Sequence, residues 1–296
     1  MKNIQVIIIL YLFLFINTNG QQAHKVNKNQ YDWEIVRIAA VQLMQPKEED
    51  PSDVVVSYIK RAAADKAQLV VFPEYHLGYV KTSDQRVDEV ARAAKENHIY
   101  VIVGCFECYD DGSYSNVALL FGRDGSIIGR HKKVHPAVGV DPYYWPPKEG
   151  DVEWKMKLGD KFDVFELDFG TIGILTCFDG YFPESYELMS LKGAEIIIWI
   201  NGRPYIEDYL VKSAMFLNYV DMVCTNDCYG TMIAEYPNVI KKISLVPKED
   251  YLVEDLDLKQ LRIFRKNSRF FHQRRPEVYK DLIKYWPVWE NYKYLD

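Results

Sequence analysis

Short apolar runs broken by turns restrict the fold of this chain more than any other feature. Residues 36–43 (VRIAAVQL), 68–72, 100–106, 116–121, 162–167, 172–176, 195–200 and 221–225 are all of strand length and rich in Val, Ile and Leu. Runs without strict polar alternation suit strands covered on both faces by other layers. Segments with helical spacing alternate with them. In 54–64, Val55, Tyr58, Ile59 and Ala62 share one side, and 87–96 is rich in Ala and charge. Pro183 opens a helix to about residue 192 and Gly193 closes it. Residues 205–219 read as a further helix, and D-D-G at 110–112 and R-D-G at 123–125 as turns between strands. This order predicts one α/β domain over 34–280, with no repeat or linker dividing it.

Composition narrows the class. The 296 residues are 48% hydrophobic and 26% charged, which supplies a core and excludes disordered and collagen-like chains. A net charge of -6 argues against a nucleic-acid partner, which needs a basic face. The five cysteines (Cys105, Cys108, Cys177, Cys224 and Cys228) are odd in number, so at least one thiol is free or pairs between chains. Cys105 and Cys108 lie inside an apolar run, unlike a thioredoxin-type pair at a helix start. His131 and His135 lack a local third ligand for zinc.

The first residues carry a separate signal. Lys2 precedes eleven apolar residues, Val6 to Ile16, and Asn17, Thr18, Asn19 and Gly20 follow. A basic start, a short apolar run and a small-residue exit predict a secretory signal peptide over 1–20, cleaved after Gly20 or near Ala23. Eleven residues fall short of the roughly 20 that span a bilayer. The expected location is therefore secreted or in the secretory lumen, with no stable membrane span after cleavage; a retained signal anchor is the alternative.

Three residues stand where α/β folds gather chemistry, just beyond strands. Glu74 ends V-V-F-P-E, Lys133 lies in H-K-K-V-H, and Cys177 follows the 172–176 run directly before a helix. A thiol near a helix start has its thiolate favoured. Such a thiolate attacks carbonyl carbon and needs a base for its proton, a role open to Glu74. Lys133, and the Phe178 N–H, can face a developing oxyanion. By spacing alone an ordinary buried cysteine, a loop-capping glutamate and a solvated lysine stay open beside this reading. Residues 134–159 form a Pro-rich loop in which Tyr144 and Trp145 are candidates for a pocket wall.

At these residues the chain resembles the carbon–nitrogen hydrolase (nitrilase) superfamily. V-R-I-A-A-V-Q-L leading to V-V-F-P-E matches its general-base context, N-V-A-L-L-F-G-R-D-G-S-I-I-G-R-H-K-K-V-H its lysine context, and G-I-L-T-C-F-D-G-Y-F-P-E its nucleophile context. The resemblance implies a four-layer α-β-β-α sandwich and hydrolysis of a non-peptide C–N bond in a small amide or N-carbamoyl compound. It assigns Cys177 as nucleophile, Glu74 as base and Lys133 as the catalytic lysine, with a thioester intermediate and no cofactor or metal. Phe178-Asp179 after the cysteine points to amidases rather than true nitrilases. Glu153 is the nearest candidate for the family's second buried glutamate.

The chain also departs from the pattern. Residues 214–218 keep the family's Ala and Asn but lack its Arg and Glu, and 231–251 is short, which predicts a reduced hairpin and a disturbed sheet near the cysteine. Two alternatives follow: a catalytically impaired member acting as a binding or structural protein, or a short secreted amidase akin to pantetheinase and biotinidase. The family's habit implies a homo-oligomer, with Tyr186, Leu188, Met189 and Leu191 exposed on the helix after the cysteine and the aromatic tail 281–296 covering a neighbour.

Overall fold

The computed structural model describes residues 33–44, 51–138, 152–203 and 208–284. The apolar runs form strands β1 (Ile35–Gln42), β2 (Leu69–Val71), β3 (Tyr79–Val80), β4 (Tyr100–Cys108), β5 (Tyr114–Phe121), β6 (Ile127–Lys132), β7 (Val164–Glu166), β8 (Thr171–Thr176), β9 (Ile196–Ile200), β10 (Asp221–Thr225), β11 (Met232–Glu235), β12 (Val239–Ile243) and β13 (Asp250–Asp257). The helices are α1 (Ser52–Ala64), α2 (Gln85–Glu96), α3 (Pro183–Leu191), α4 (Asp208–Asn218), α5 (Leu258–Lys266) and the short α6 (Arg269–His272).

The strands divide into two mixed sheets. The first runs β13-β1-β2-β4-β5-β6, with β3 added against β4, and the second runs β12-β11-β10-β9-β8-β7. Strands joined through helices pair in parallel, as β1 with β2 and β8 with β9, whereas β4, β5 and β6 follow one another through tight turns and pair antiparallel.

Side-chain alternation along the strands shows why the runs are apolar throughout. In β1, Ala39 and Val41 pack with Val55 and Ile59 of α1 and Val87 and Val90 of α2. The intervening Val36, Ile38 and Ala40 pack between the sheets against Ile196, Ile198 and Ile200 of β9. The other face of β9, Ile197 and Trp199, packs with Tyr186 and Met189 of α3 and Val211 and Met215 of α4. Period two thus sends successive residues into different layers, and both layers are apolar. Each fully buried Ile or Val contributes about 1.5–3 kcal/mol. The result is the α-β-β-α sandwich.

Two expectations change at this level. The short 231–251 stretch does hold a hairpin, β11 and β12, which extends the second sheet beyond β10. β8, which precedes Cys177, is flanked by β7 and β9 and its ladder is intact. The shortening therefore falls at the far edge of the sheet, away from the cysteine. Of the four apolar α3 residues expected outward, Leu188 and Leu191 are exposed, at 45% and 40%. Tyr186 and Met189 are buried, because they form the side of α3 that faces the second sheet. The aromatic tail begins within a 3-10 turn, Lys280–Ile283; residues 285–296, and residues 1–20 where a signal peptide is expected, lie outside the described residues.

Candidate active site

Glu74 follows β2 by three residues, Lys133 follows β6 directly, and Cys177 follows β8 directly. The loop carrying Glu74 lies hard against β4. A Cβ on Gly104 would come within 2.6 Å of the Glu74 Cα and 2.7 Å of the Tyr75 nitrogen, so glycine is required there.

Glu74 and Lys133 are buried together. The Lys133 Nζ donates to Glu74 Oε1 at 3.1 Å and to Glu153 Oε1 at 2.5 Å. Asn116 Nδ2 donates to the same two oxygens, at 2.6 and 3.0 Å. Glu74 Oε2 accepts from the Gly202 N–H at 2.7 Å, and Glu153 Oε2 from the Ala137 N–H at 2.5 Å. The Tyr75 hydroxyl donates to Glu153 Oε1 at 2.7 Å. Burial, followed by Glu74 and Glu153, holds this phenol well above its ordinary range, so it remains a donor. Desolvation is the largest influence on Lys133 and works to lower it. The opposing fields of Cys177, Glu74 and Glu153 prevail and hold the ammonium above its usual range. Glu153 thus stands beside Lys133, the position in which the sequence made it a candidate.

Cys177 occupies a strained turn. Its φ is +48°, a left-handed conformation that costs a non-glycine residue about 1–3 kcal/mol. The turn is held from below: Trp199 Nε1 donates to the Cys177 carbonyl at 2.8 Å, and Gly180 packs on the Trp199 indole with no room for a Cβ. The expectation of a thiolate favoured by a helix start is not met. Residues Cys177–Tyr181 form a 3-10 turn, and α3 begins only at Pro183. Desolvation, then the Glu74 carboxylate, pushes the thiol up to about 12, against the lowering fields of Lys133 and Arg203. The site therefore presents a thiol with Glu74 and Lys133 in its electrostatic reach, and carboxylate, ammonium and thiol are the group types that proton transfer and oxyanion stabilisation use.

The remaining candidates fall as follows. Phe178 is 37% exposed and packs against Tyr181 and Phe182 at the surface of the turn. Tyr144 and Trp145 lie outside the described residues. The rings of His131 and His135 both turn to the Asp179 carboxylate, each at 3.0 Å. No cluster of three His, Cys, Asp or Glu suited to a metal occurs among the described residues. All five cysteines are free.

Sequence reasoning gave no role to Tyr75, Asn116, Gly202 or Arg203. Asn116 carried a faint signal as a polar residue at the head of an apolar run, and Tyr75 as the neighbour of Glu74. Arg203 lies over the Tyr181 and Trp199 rings, 4.8 and 5.3 Å from their centroids, its guanidinium donates to the Tyr181 hydroxyl, and its charge acts on the Cys177 thiol.

Two sheets between helix layers, with buried glutamate, lysine and a strained cysteine at strand ends, define a four-layer hydrolase sandwich. A profile described as carbon-nitrogen hydrolase matches residues 37–261, and the chain belongs to that family, on its amidase-like side. It is accordingly a hydrolase of C–N bonds. The chain is 26% identical over 271 residues to omega-amidase NIT2 of Xenopus tropicalis, covering 82% of this chain and 96% of that protein. It is 24% identical over 292 residues to citrullinase of Francisella tularensis, covering 84% and 98%. The crystal structure of a carbon-nitrogen hydrolase from Helicobacter pylori G27 shares the fold, with TM-score 0.73 and 20% identity over 85% of this chain and 99% of that one. Saccharomyces cerevisiae Nit3 gives 0.70 and 19%, over 82% and 97%.

Proposed function

We propose that this hydrolase cleaves a small amide or N-carbamoyl compound through a thioester on Cys177. The observation that carries the reading is the Lys133 ammonium buried between Glu74 and Glu153 within the field of the Cys177 thiol. In the proposed course Glu74 takes the thiol proton as Sγ bonds to the amide carbon, and Lys133 faces the resulting oxyanion. The C–N bond then breaks, and Glu74 passes its proton to the departing nitrogen as ammonia or amine. Water attacks the thioester, Glu74 accepts its proton, and the acid leaves as that proton returns to the sulfur. Starting from a thiol pushed up to about 12, the proton must move in the same step in which the bond forms, so a base beside it is required. Glu153, held by Tyr75, Asn116 and Ala137, serves to fix Lys133.

The relatives named omega-amidase and citrullinase support amides and ureido compounds as the substrate classes to examine. The apolar segment after Lys2 supports secretion. Exposed Leu188 and Leu191 on α3 support a homo-oligomer.

The test is the intact mass of the protein quenched during turnover of a small primary amide. An acyl adduct on the Cys177 peptide is expected in the parent and is expected to be lost in Glu74→Gln, which lacks the base that acylation requires. Turnover by the parent with no adduct on Cys177, or an adduct that forms equally in Glu74→Gln, refutes this course.

A further inference from the structure

This inference deepens the reaction proposed above and rests on it. Lys133 and Cys177 belong to different sheets: β6 closes the first and β8 lies in the second, so no strand ladder sets one against the other. The Asp179 side chain spans the gap. It is wholly buried, two residues beyond the cysteine. Its Oδ1 accepts the N–H groups of Val134 at 3.1 Å and His135 at 2.9 Å and meets His135 Nδ1 at 3.0 Å. Its Oδ2 meets His131 Nε2 at 3.0 Å and accepts the Thr176 N–H at 3.3 Å. Val134 follows Lys133 in the chain, and Thr176 precedes Cys177.

A carboxylate that only capped its own turn would be satisfied by Thr176 and its neighbours. Here four of the five partners lie on the Lys133 segment. Ring packing adds to the grip: His135 lies flat on Phe182 of the post-cysteine turn, with centroids 3.6 Å apart, and His131 and His135 both stack on Phe162. Three main-chain N–H groups and two histidine ring nitrogens crowd the two oxygens, so both lone-pair sets are engaged and the carboxylate is held by the two segments together.

We propose that Asp179 is a positioning residue, which sets the Lys133 ammonium in register with the Cys177 thiol by holding both chain segments at once. The strained backbone at Cys177 makes this hold necessary, because a left-handed residue relaxes when its anchors are loosened. Relaxation separates sulfur from ammonium. The field of Lys133 on the thiol then weakens, since it falls with distance.

The experiment uses the full chain and two readouts: amide turnover, and alkylation of Cys177 by iodoacetamide followed by peptide mass across pH. Asp179→Asn nearly preserves shape but places an NH2 where one oxygen accepts. Its kcat is expected to fall about 30–100-fold with KM within about threefold of the parent. Its alkylation profile is expected to move up by about one pH unit, which is about tenfold slower at fixed pH. His135→Phe keeps the stack and the main-chain bonds but loses one contact, and should show about threefold losses in the same two readouts; it carries the test if Asp179→Asn does not fold. Val90→Ala, buried where α2 packs on the first sheet and outside the contacts of Asp179, should lower the melting temperature and leave the alkylation profile unchanged. A folded Asp179→Asn with parental kcat and profile overturns the proposal, as does a Val90→Ala profile that shifts equally. Alkylation reads the register without any substrate, so a parent that turns over no amide counts against the proposed reaction alone.

Discussion

Replacing Lys133 with methionine removes a buried cation while roughly conserving volume, and the structure sets the size of the response. Glu74 Oε1 and Glu153 Oε1 share two donors, Lys133 Nζ and Asn116 Nδ2. Without the ammonium, two buried carboxylates face each other across one amide. Two unit charges about 4 Å apart repel by about 4 kcal/mol at an effective dielectric constant of about 20. One pKa unit is about 1.4 kcal/mol, so that repulsion suffices to keep one proton on the pair up to about pH 7. The folded variant then binds one more proton than the unfolded chain between about pH 4.5 and 7. Stability falls with rising pH wherever the folded state binds more protons, here by about 1.4 kcal/mol per unit. The gap between parent and Lys133→Met should be small near pH 4.5 and open to about 3–5 kcal/mol at pH 7, the usual cost of breaking a buried pair from one side. Urea unfolding followed by tryptophan fluorescence at pH 4.5, 5.5, 6.5 and 7.5 measures it. A gap constant to within about 0.5 kcal/mol over that span refutes the reasoning, because the carboxylates would then not depend on Lys133.

Further outcomes follow from the same geometry. Glu74→Gln removes the charge that, after desolvation, holds the Cys177 thiol up at about 12; iodoacetamide should then alkylate Cys177 about three- to tenfold faster at pH 8 while amide turnover is lost, and slower alkylation measured by peptide mass contradicts this. In the parent, that alkylation rate should climb steadily from pH 7 to 10 with no plateau, since a raised thiol keeps its proton through this range; a plateau below pH 9 shows a thiol that is not raised. Gly104→Ala forces the Glu74 loop off β4, at a cost of about 1–3 kcal/mol in thermal unfolding and about 10²-fold in kcat; a variant with parental kcat shows that the contact is not needed.

Much of the sandwich was legible because burial on both faces of two sheets leaves apolar runs in place of alternation. The run 36–43 corresponds to β1 (Ile35–Gln42) and the run 195–200 to β9 (Ile196–Ile200). Glu74, Lys133 and Cys177 stood out because each follows such a run. The rest needed the third dimension. Glu153 sits beyond a Pro-rich loop with no periodic signal, so its approach to Lys133 depends on long-range packing. Helical spacing on α3 identified an apolar segment but not which side met the sheet, and Tyr186 and Met189 were placed outward for that reason. The Cys177 thiol was misjudged because local order near a helix suggested a favourable dipole, whereas desolvation and the Glu74 charge come from distant segments. Asp179 marked the subclass in sequence, but its reach across two sheets is visible only in the fold.

The central claim is that Cys177 performs the chemistry with Glu74 and Lys133 beside it. Its most direct measurement is ammonia or amine release from a panel of small amides and N-carbamoyl compounds, with the parent and Cys177→Ala assayed together. The account predicts turnover of at least one compound by the parent and only the uncatalysed rate for Cys177→Ala. Equal turnover by both proteins contradicts it.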